Sequence, residues 1–242
     1  MIHKTKGIVL RTVKYGETSV IAKIFTELFG IQSYMVNGVR TKGKSSKAHF
    51  FQPSSMLDLE VYHSDLKNLQ RIKELKWSYL YRNILSDVSK NAVALYMVEL
   101  LYKCLKEPEQ NIDLYSFCED AFTSLDTCSS EITANFPLYF SIQLPWFFGF
   151  SLQDNHSSKH NVFDPAEGNF VQSENEHSAA VNISTGNYIA QVIRSRHPEE
   201  LKELKLNKNS RKQILLLLQN YYAHHFSEFG TMNTLPVLHE IF

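Results

Sequence analysis

Residues 7–47 read GIVLRTVKYGETSVIAKIFTELFGIQSYMVNGVRTKGKSSK, and the order of β-formers and turn-formers in this stretch decides the fold. Three β-rich runs, Lys6 to Tyr15, Ser19 to Thr26 and Ile31 to Val36, are separated by Gly16-Glu17-Thr18 and Leu28-Phe29-Gly30. Glycine at each break lets the backbone turn where a Cβ would clash. In the first run Val9, Arg11, Val13 and Tyr15 share one face and Ile8, Leu10, Thr12 and Lys14 the other. That partial alternation predicts a strongly curved strand with both faces partly covered.

Working outward, Leu57, Leu59 and Val61 alternate with Asp58, Glu60 and Tyr62, a period of two that marks a fourth strand over Met56 to Tyr62. A turn at His63-Ser64-Asp65-Leu66 leads to a fifth, Leu69 to Trp77. Five short strands without a long helix suit a five-stranded barrel of the OB type. From Ser78 the apolar period becomes 3.6. A long, largely buried helix is expected over Asp87 to Lys106, ending before Pro108. Next, Leu114, Phe117, Cys118, Ala121, Phe122 and Leu125 follow helical spacing, with Asp113 placed to cap. The aromatic segment Ala134 to Phe150, if helical, bends near Pro145.

Residues 151–180 are polar and predict a surface excursion with one hairpin, Val162-Phe163 against Asn169-Phe170-Val171. Two helices close the chain, Tyr188 to Arg194 capped by Ser184, and Lys212 to Phe226 capped by Asn209 or Ser210. The expected architecture is α+β: an OB-type β-barrel over residues 1–78, then an all-α helical domain over 79–242 with an excursion at about 151–180.

The chain of 242 residues balances 25 basic against 25 acidic side chains, but unevenly. Residues 1–50 carry Lys4, Lys6, Arg11, Lys14, Lys23, Arg40, Lys42, Lys44 and Lys47 against Glu17 and Glu27, a net +7, which leaves −7 for residues 51–242. A basic head on an acidic body points to a polyanion at the head, because neutralising phosphates releases counterions and drives sequence-independent binding. The alternative is a lysine-rich surface that is only well solvated. Arg11, Lys14, Lys23, Arg40, Lys42, Lys44 and Lys47 are the candidate phosphate contacts, with Tyr15 and Tyr34, and also Phe25 and Phe29, as candidate base-stacking platforms.

Gly38 to Ser45 satisfies the phosphate-loop pattern G-x-x-x-x-G-K-[ST]. The context argues against a nucleotide site, since Ser45 runs into Pro53 without an apolar helical stripe and no alternation of strands and helices surrounds it. His156, His160 and His177 lie on loop-like sequence without cysteine neighbours, so no metal and no cofactor is expected. Cys104, Cys118 and Cys128 are too widely spaced for redox pairing and read as buried free thiols. No run approaches the ~20 apolar residues of a membrane span. The first residues lack a signal-peptide core, so a cytoplasmic location is expected.

With these residues laid out, the chain resembles the RecO family of bacterial recombination and repair mediators. The likeness is carried by Gly7-Ile-Val-Leu-Arg-Thr12, Tyr15-Gly-Glu-Thr-Ser19, Phe25-Thr26, Gly30, Gly38-Val-Arg40 and Phe51-Gln-Pro53, and extends loosely to Leu235–Phe242. The resemblance implies an N-terminal OB fold, a C-terminal helical domain, and binding and annealing of DNA, single- and double-stranded. It also implies contact with the acidic, apolar C-terminal tail of single-strand binding protein, partnership with RecR, and indirectly loading of RecA, hence a nucleoid-associated protein. Many relatives carry a four-cysteine zinc site matching residues 154–177, which has no cysteine here. The arginines that often precede the apolar face of the Ala134–Phe150 helix are replaced by Ala134 and Asn135. Phe140, Leu144 and Phe147 are the candidate tail pocket. The first expectation is therefore a non-enzymatic DNA-repair mediator. The alternatives are a nucleotide hydrolase using Gly38 to Ser45 and an OB-fold adaptor that binds proteins only.

Overall fold

All five expected strands form: β1 (Ile2–Tyr15), β2 (Ser19–Thr26), β3 (Gly30–Val36), β4 (Met56–Tyr62) and β5 (Gln70–Tyr79). The computed structural model describes residues 1–39, 47–172 and 176–242, and side chains outside 173–182. The strands close an OB-type barrel in the order β1-β2-β3-β5-β4, with β4 returning to β1. Every neighbouring pair is antiparallel except β3 and β5, which run parallel through Tyr34 opposite Gln70 and Met35 opposite Arg71. β1 is long enough to pair β4 with its first half and β2 with its second, and its register slips between Val9 and Arg11. The extra residue, Leu10, makes a bulge that bends the strand and re-aims the side chains beyond it.

Alternation along these strands sends Val9, Ala22, Ile24, Tyr34, Leu59 and Val61 into the barrel, all but fully buried. Ile8, Val9 and Leu10 are buried in succession, so this part of β1 is covered on both faces, as the sequence suggests. Ile8 pairs with Phe25, whose ring lies 5.6 Å from that of Tyr115.

By contact the chain divides into two compact units, Met1–Arg82 with Leu101–Thr123, and Asn83–Leu100 with Ser124–Phe242. The helices are α1 (Val88–Cys104), α2 (Ile112–Thr127), α3 (Ser130–Gln143), α4 (Glu176–Arg194), α5 (Lys208–His225) and α6 (Leu235–Ile241). The hairpin of the excursion forms as β6 (Val162–Asp164) and β7 (Asn169–Val171). From Ile132 to Ile142 every residue of α3 but half-buried Ala134 is buried, which is why its sequence shows no amphipathic period. Its polar Ser141 is satisfied there: the Oγ lies 2.8 Å from the Tyr96 hydroxyl, and the Tyr222 hydroxyl donates to its carbonyl at 2.9 Å.

Several helix ends differ from expectation. Asn111 rather than Asp113 caps α2, accepting the Leu114 N–H at 2.9 Å. Asn207 rather than Asn209 or Ser210 caps α5, accepting the Ser210 N–H at 2.9 Å. Ser184 lies inside α4 rather than ahead of it. α3 starts at Ser130, and its regular turns end at Gln143. A 3-10 turn over Leu144–Phe148 follows, with Pro145 in its first turn, and Gly149 at φ +85° ends it. α6 has Pro236 in its first turn and lies beyond the helices the periodicity marks. Cys104 and Cys118 are buried and Cys128 is half-buried. All three are free, and burial pushes each thiol up, which keeps them protonated and unreactive.

Two positions in this framework yield expected outcomes. Gly30 opens β3 at φ +60°, and a Cβ there would lie 2.2 Å from the Glu109 carbonyl oxygen. Gly30→Ala is expected to cost about 1–3 kcal/mol, read as a lower midpoint of thermal unfolding; an unchanged midpoint would show that the two backbones are not so close. In the other unit the Glu99 carboxylate accepts from the amide and side chain of both Asn233 and Thr234, at 2.7 to 2.9 Å, and so anchors the start of α6. Burial alone would raise its pKa, but the bonds from Thr234 and Asn233 outweigh it and hold the group below the usual 4.5. The carboxylate's contribution is therefore complete above about pH 4.5 and is lost as pH falls through the lower folded value. Glu99→Gln is expected to weaken the anchor by about 1–2 kcal/mol, seen as faster amide exchange in α6. Exchange matching the wild type would refute the anchor.

Candidate nucleic-acid interface

The outer surface of the barrel is electrically divided, and the division follows from strand register. On one side, β1 before Gly7 pairs with β4, and β4 with β5, giving outward rows Lys4·Glu60·Glu74 and Lys6·Asp58·Lys76. Acids and bases pair there, Lys4 with Glu60 at 3.4 Å, Lys73 with Glu60 at 2.9 Å, and Lys76 with Asp58 at 3.4 Å, although Glu60 also stands opposite Glu74. Lys6 meets Glu119 at 2.8 Å, and that hydrogen bond raises its pKa. Bonding from Lys73 lowers Glu60 in the same way. Each of these cations has a carboxylate partner.

The other side is built from the second half of β1 with β2 and β3. Arg11 stands opposite Lys23, and Lys23 opposite Ser33. The next outward row is Val13, Ile21 and Met35, which the parallel pairing extends to Arg71. A third joins Tyr15 to Ser19, whose hydroxyl meets Asn37 Oδ1 at 3.1 Å. Among the described residues no carboxylate lies within ion-pair distance of Arg11, Lys14, Lys23 or Lys47. Val13 and Tyr15 are half exposed, at 49% and 52%. Two like charges directly across a strand pair repel, so the bare sheet carries a cost that an anion lying over Arg11 and Lys23 removes. Cations beside exposed apolar and aromatic groups, on a sheet face of this barrel type, form a surface on which a phosphate backbone can lie and bases can stack.

Measured against the sequence candidates, Arg11, Lys23 and Tyr15 come together on this face. Lys14 does not join them: it pairs with Val20 on the inward parity and emerges at the barrel's end. Lys47 is exposed just before the 3-10 turn Ala48–Phe51. Arg40, Lys42 and Lys44 lie outside the described residues. Tyr34 is corrected: it is wholly buried in the barrel, opposite Ala22, and burial pushes its phenol far up, so it offers no ring to a base. Phe25 is likewise buried, whereas Phe29 is partly exposed. Arg71 and Ser33 were missed, Arg71 because only the β3–β5 closure brings it to this face.

The phosphate-loop pattern Gly38 to Ser45 falls largely outside the described residues, but its flanks are defined. It follows a strand of a mostly antiparallel barrel and precedes a four-residue 3-10 turn, not a long helix on a parallel sheet. Among the described residues no cluster of three or more metal-ligating side chains occurs, and no helix is long and apolar enough to cross a membrane.

In the helical unit, Phe140 and Leu144 are fully buried and Phe147 is partly exposed, so the first two are core residues rather than the wall of an open pocket. An open recess of about 460 Å³ instead lies where Ala134 and Asn135 face Lys202, Lys205 and Arg211, with Glu131 and Glu203 also at its edge. The Arg211 guanidinium donates to the Leu206 carbonyl at 2.6 Å, and burial lowers its pKa. Asn135 is almost wholly buried; its Nδ2 donates to the Leu201 and Leu204 carbonyls, while its Oδ1 has no partner among the described residues.

Comparison with known proteins matches the chain in two parts. Residues 1–81 match the family model described as Recombination protein O N terminal, and residues 85–232 match Recombination protein O C terminal. A protein named DNA repair protein RecO from Bacteroides fragilis is 32% identical over 245 residues, covering all of both chains. One of the same name from Phocaeicola vulgatus is 31% identical over 242 residues with full coverage of both. Another from Flavobacterium psychrophilum is 31% identical over 99% of this chain and 98% of its own.

The like-charge row is open to a direct check. Lys23→Glu turns the repulsion with Arg11 into attraction and is expected to stabilise the barrel by about 0.2–1 kcal/mol at low salt, shrinking as salt rises. Equal stability of mutant and wild type at low salt would mean that the two side chains do not face one another.

Proposed function

The chain belongs to the RecO family, and from that premise we propose that it is a DNA-repair and recombination mediator that binds and anneals single-stranded DNA. In this reading it acts with RecR to help load RecA on strands coated by single-strand binding protein, and performs no catalysis of its own. The observation that carries it is the unneutralised face of Arg11, Lys23 and Arg71 beside exposed Val13 and Tyr15, on a barrel whose other side pairs Lys4, Lys6, Lys73 and Lys76 with carboxylates. Such contacts position a strand without reading its sequence, which suits a protein that must act wherever DNA is damaged. Lys14, Arg40, Lys42, Lys44 and Lys47 extend the cationic supply beyond this face. In this reading the barrel unit, Met1–Arg82 with Leu101–Thr123, binds the strand and the helical unit docks partners, in the cytoplasm and at the nucleoid.

A second element concerns the tail of single-strand binding protein. With Phe140 and Leu144 sealed in the core, we place recognition of an acidic, apolar C-terminus at the recess of Lys202, Lys205 and Arg211. Its lysines supply charge that Ala134 and Asn135 do not. Phe147 stays at the margin of this proposal as an exposed apolar contact.

Titration of the whole protein against labelled single-stranded DNA tests the main reading. Affinity is expected to fall steeply with salt. Removing Arg11 and Lys23 together should flatten the slope of log K against log salt by about 1.4, at ~0.7 per phosphate lost. Alanine at Arg40, Lys42, Lys44 and Lys47 should flatten it further. No affinity at low salt would favour an adaptor that binds only proteins, and nucleotide hydrolysis abolished by Lys44→Ala would favour an enzyme.

A further inference from the structure

At the edge of the cationic face, still within the barrel unit, lies a recess of about 590 Å³ that the charge pattern of residues 1–50 does not reveal. It is lined by Lys23, Phe29, Ser33, His63, Lys67 and Lys106. Lys23 therefore belongs both to the open face and to the recess. Lys67 comes from the β4–β5 loop and Lys106 from the segment that follows α1; both are exposed, and neither makes an ion pair among the described residues. Asp65 is the carboxylate on the rim, and it is held by the His63 ring, 3.0 Å from Nε2.

The recess is preformed. Gln70, nearly buried, grips the β4–β5 loop from inside: its Oε1 accepts the Ser64 N–H at 3.1 Å, and its Nε2 donates to the carbonyls of Ser64 and Lys67 at 2.9 and 2.6 Å. The backbone of His63 is tied to Met1, whose ammonium donates to its carbonyl at 3.1 Å and whose carbonyl accepts its N–H at 3.0 Å. The rings of Phe29 and His63 stack at 3.8 Å with 14° between their planes, and His3 meets Phe29 edge-on. The His63 side chain is only 10% exposed, and its Nδ1 is buried without a partner among the described residues. A loop held this firmly loses little entropy when a ligand arrives. Its volume lies in the range of small-ligand sites.

We propose that this recess receives one nucleotide of the bound single strand, with Lys67 and Lys106 on its phosphate and the base against the Phe29–His63 wall. The assignment rests on the reading of the barrel as a strand-binding surface. Three unpaired ammonium groups recognise a phosphate, the stacked rings offer an apolar wall, and the Ser33 hydroxyl supplies a hydrogen bond to a base or sugar. The shared Lys23 makes the recess continuous with the Arg11 row, so a strand crossing β2 and β3 is led into it. A free nucleotide carries the same chemistry, and the experiment separates the two sources.

The whole protein would be titrated with an oligothymidylate across a salt series, and photo-cross-linked to the same oligomer carrying 5-iodouracil at single positions. The double substitution Lys67→Ala/Lys106→Ala should flatten the slope of log K against log salt by about 0.7 to 1.4, and cross-links should form to Phe29 or His63. Both lysines are exposed, so the variant is expected to fold, which its thermal unfolding checks. If Arg11→Ala flattens the slope while the double variant does not, and cross-links fall only on Tyr15, the recess is not part of the strand's path and the proposal fails while the face stands. If neither variant moves the slope, the strand-binding reading itself fails and takes the recess with it. Saturable binding of thymidine monophosphate that the double variant abolishes, with oligomer binding unaltered, would reassign the recess to a free nucleotide.

Discussion

The closure of five strands into a barrel through the short parallel contact of β3 with β5 is the constraint from which the rest follows. Side-chain direction alternates strictly along a strand, so fixing the register at Tyr34–Gln70 and Met35–Arg71 decides which residues fill the barrel and which face out. Tyr34 goes inward and is consumed by the core, whereas Arg71 goes outward and joins the row begun by Val13 and Ile21. A slip of one residue would exchange the two sets and put a guanidinium in the barrel. The same register makes the charge division: one half of the outer surface balances its lysines against Asp58 and Glu60, and the other sets Arg11 against Lys23. Two cations set across a strand pair, with no carboxylate within ion-pair distance among the described residues, are more readily understood as a surface made for an anion than as a structural device.

Much of this was legible in the sequence because the barrel's signals are local. Period-two alternation at Leu57, Leu59 and Val61 and the glycine breaks at Gly16 and Gly30 mark strands without reference to distant residues, and all five form, although β1 begins at Ile2, four residues ahead of the expected Lys6, where its pairing with β4 extends it. The succession of apolar residues at Ile8 to Leu10 already implied cover on both faces. What stayed hidden depends on long-range pairing. Arg71 is separated from Met35 by the whole of β4, and no local pattern says that the two become neighbours. Tyr34 illustrates the opposite failing: an aromatic in a basic strand reads equally as platform or core, and only register tells which. Helix caps went astray for a similar reason, since Asn111 and Asp113 are equally able to cap α2, and the backbone path chooses Asn111.

The helical unit shows how composition misleads when an element is buried all round. α3 has no amphipathic stripe because neighbours cover nearly all of it, so its aromatic residues could not be sorted into core and contact surface by period alone. Phe140 and Leu144 fall inside, and the positively charged recess beside Asn135 is assembled from residues some 70 positions later. Similarly, Lys67 and Lys106 lie outside the basic head that the charge count singles out, yet they line the same recess as Lys23.

The central claim is that a nucleic-acid strand meets the barrel on the half whose cations are not already paired. The measurement that tests it most directly is the map of backbone amide resonances perturbed when single-stranded DNA is added to the whole protein. The account predicts that the shifts gather on Arg11 to Tyr15, β2, β3 and Arg71. Shifts gathered instead on Lys4, Lys6 and the outward residues of β4 and β5 around Asp58 and Lys76 would contradict it.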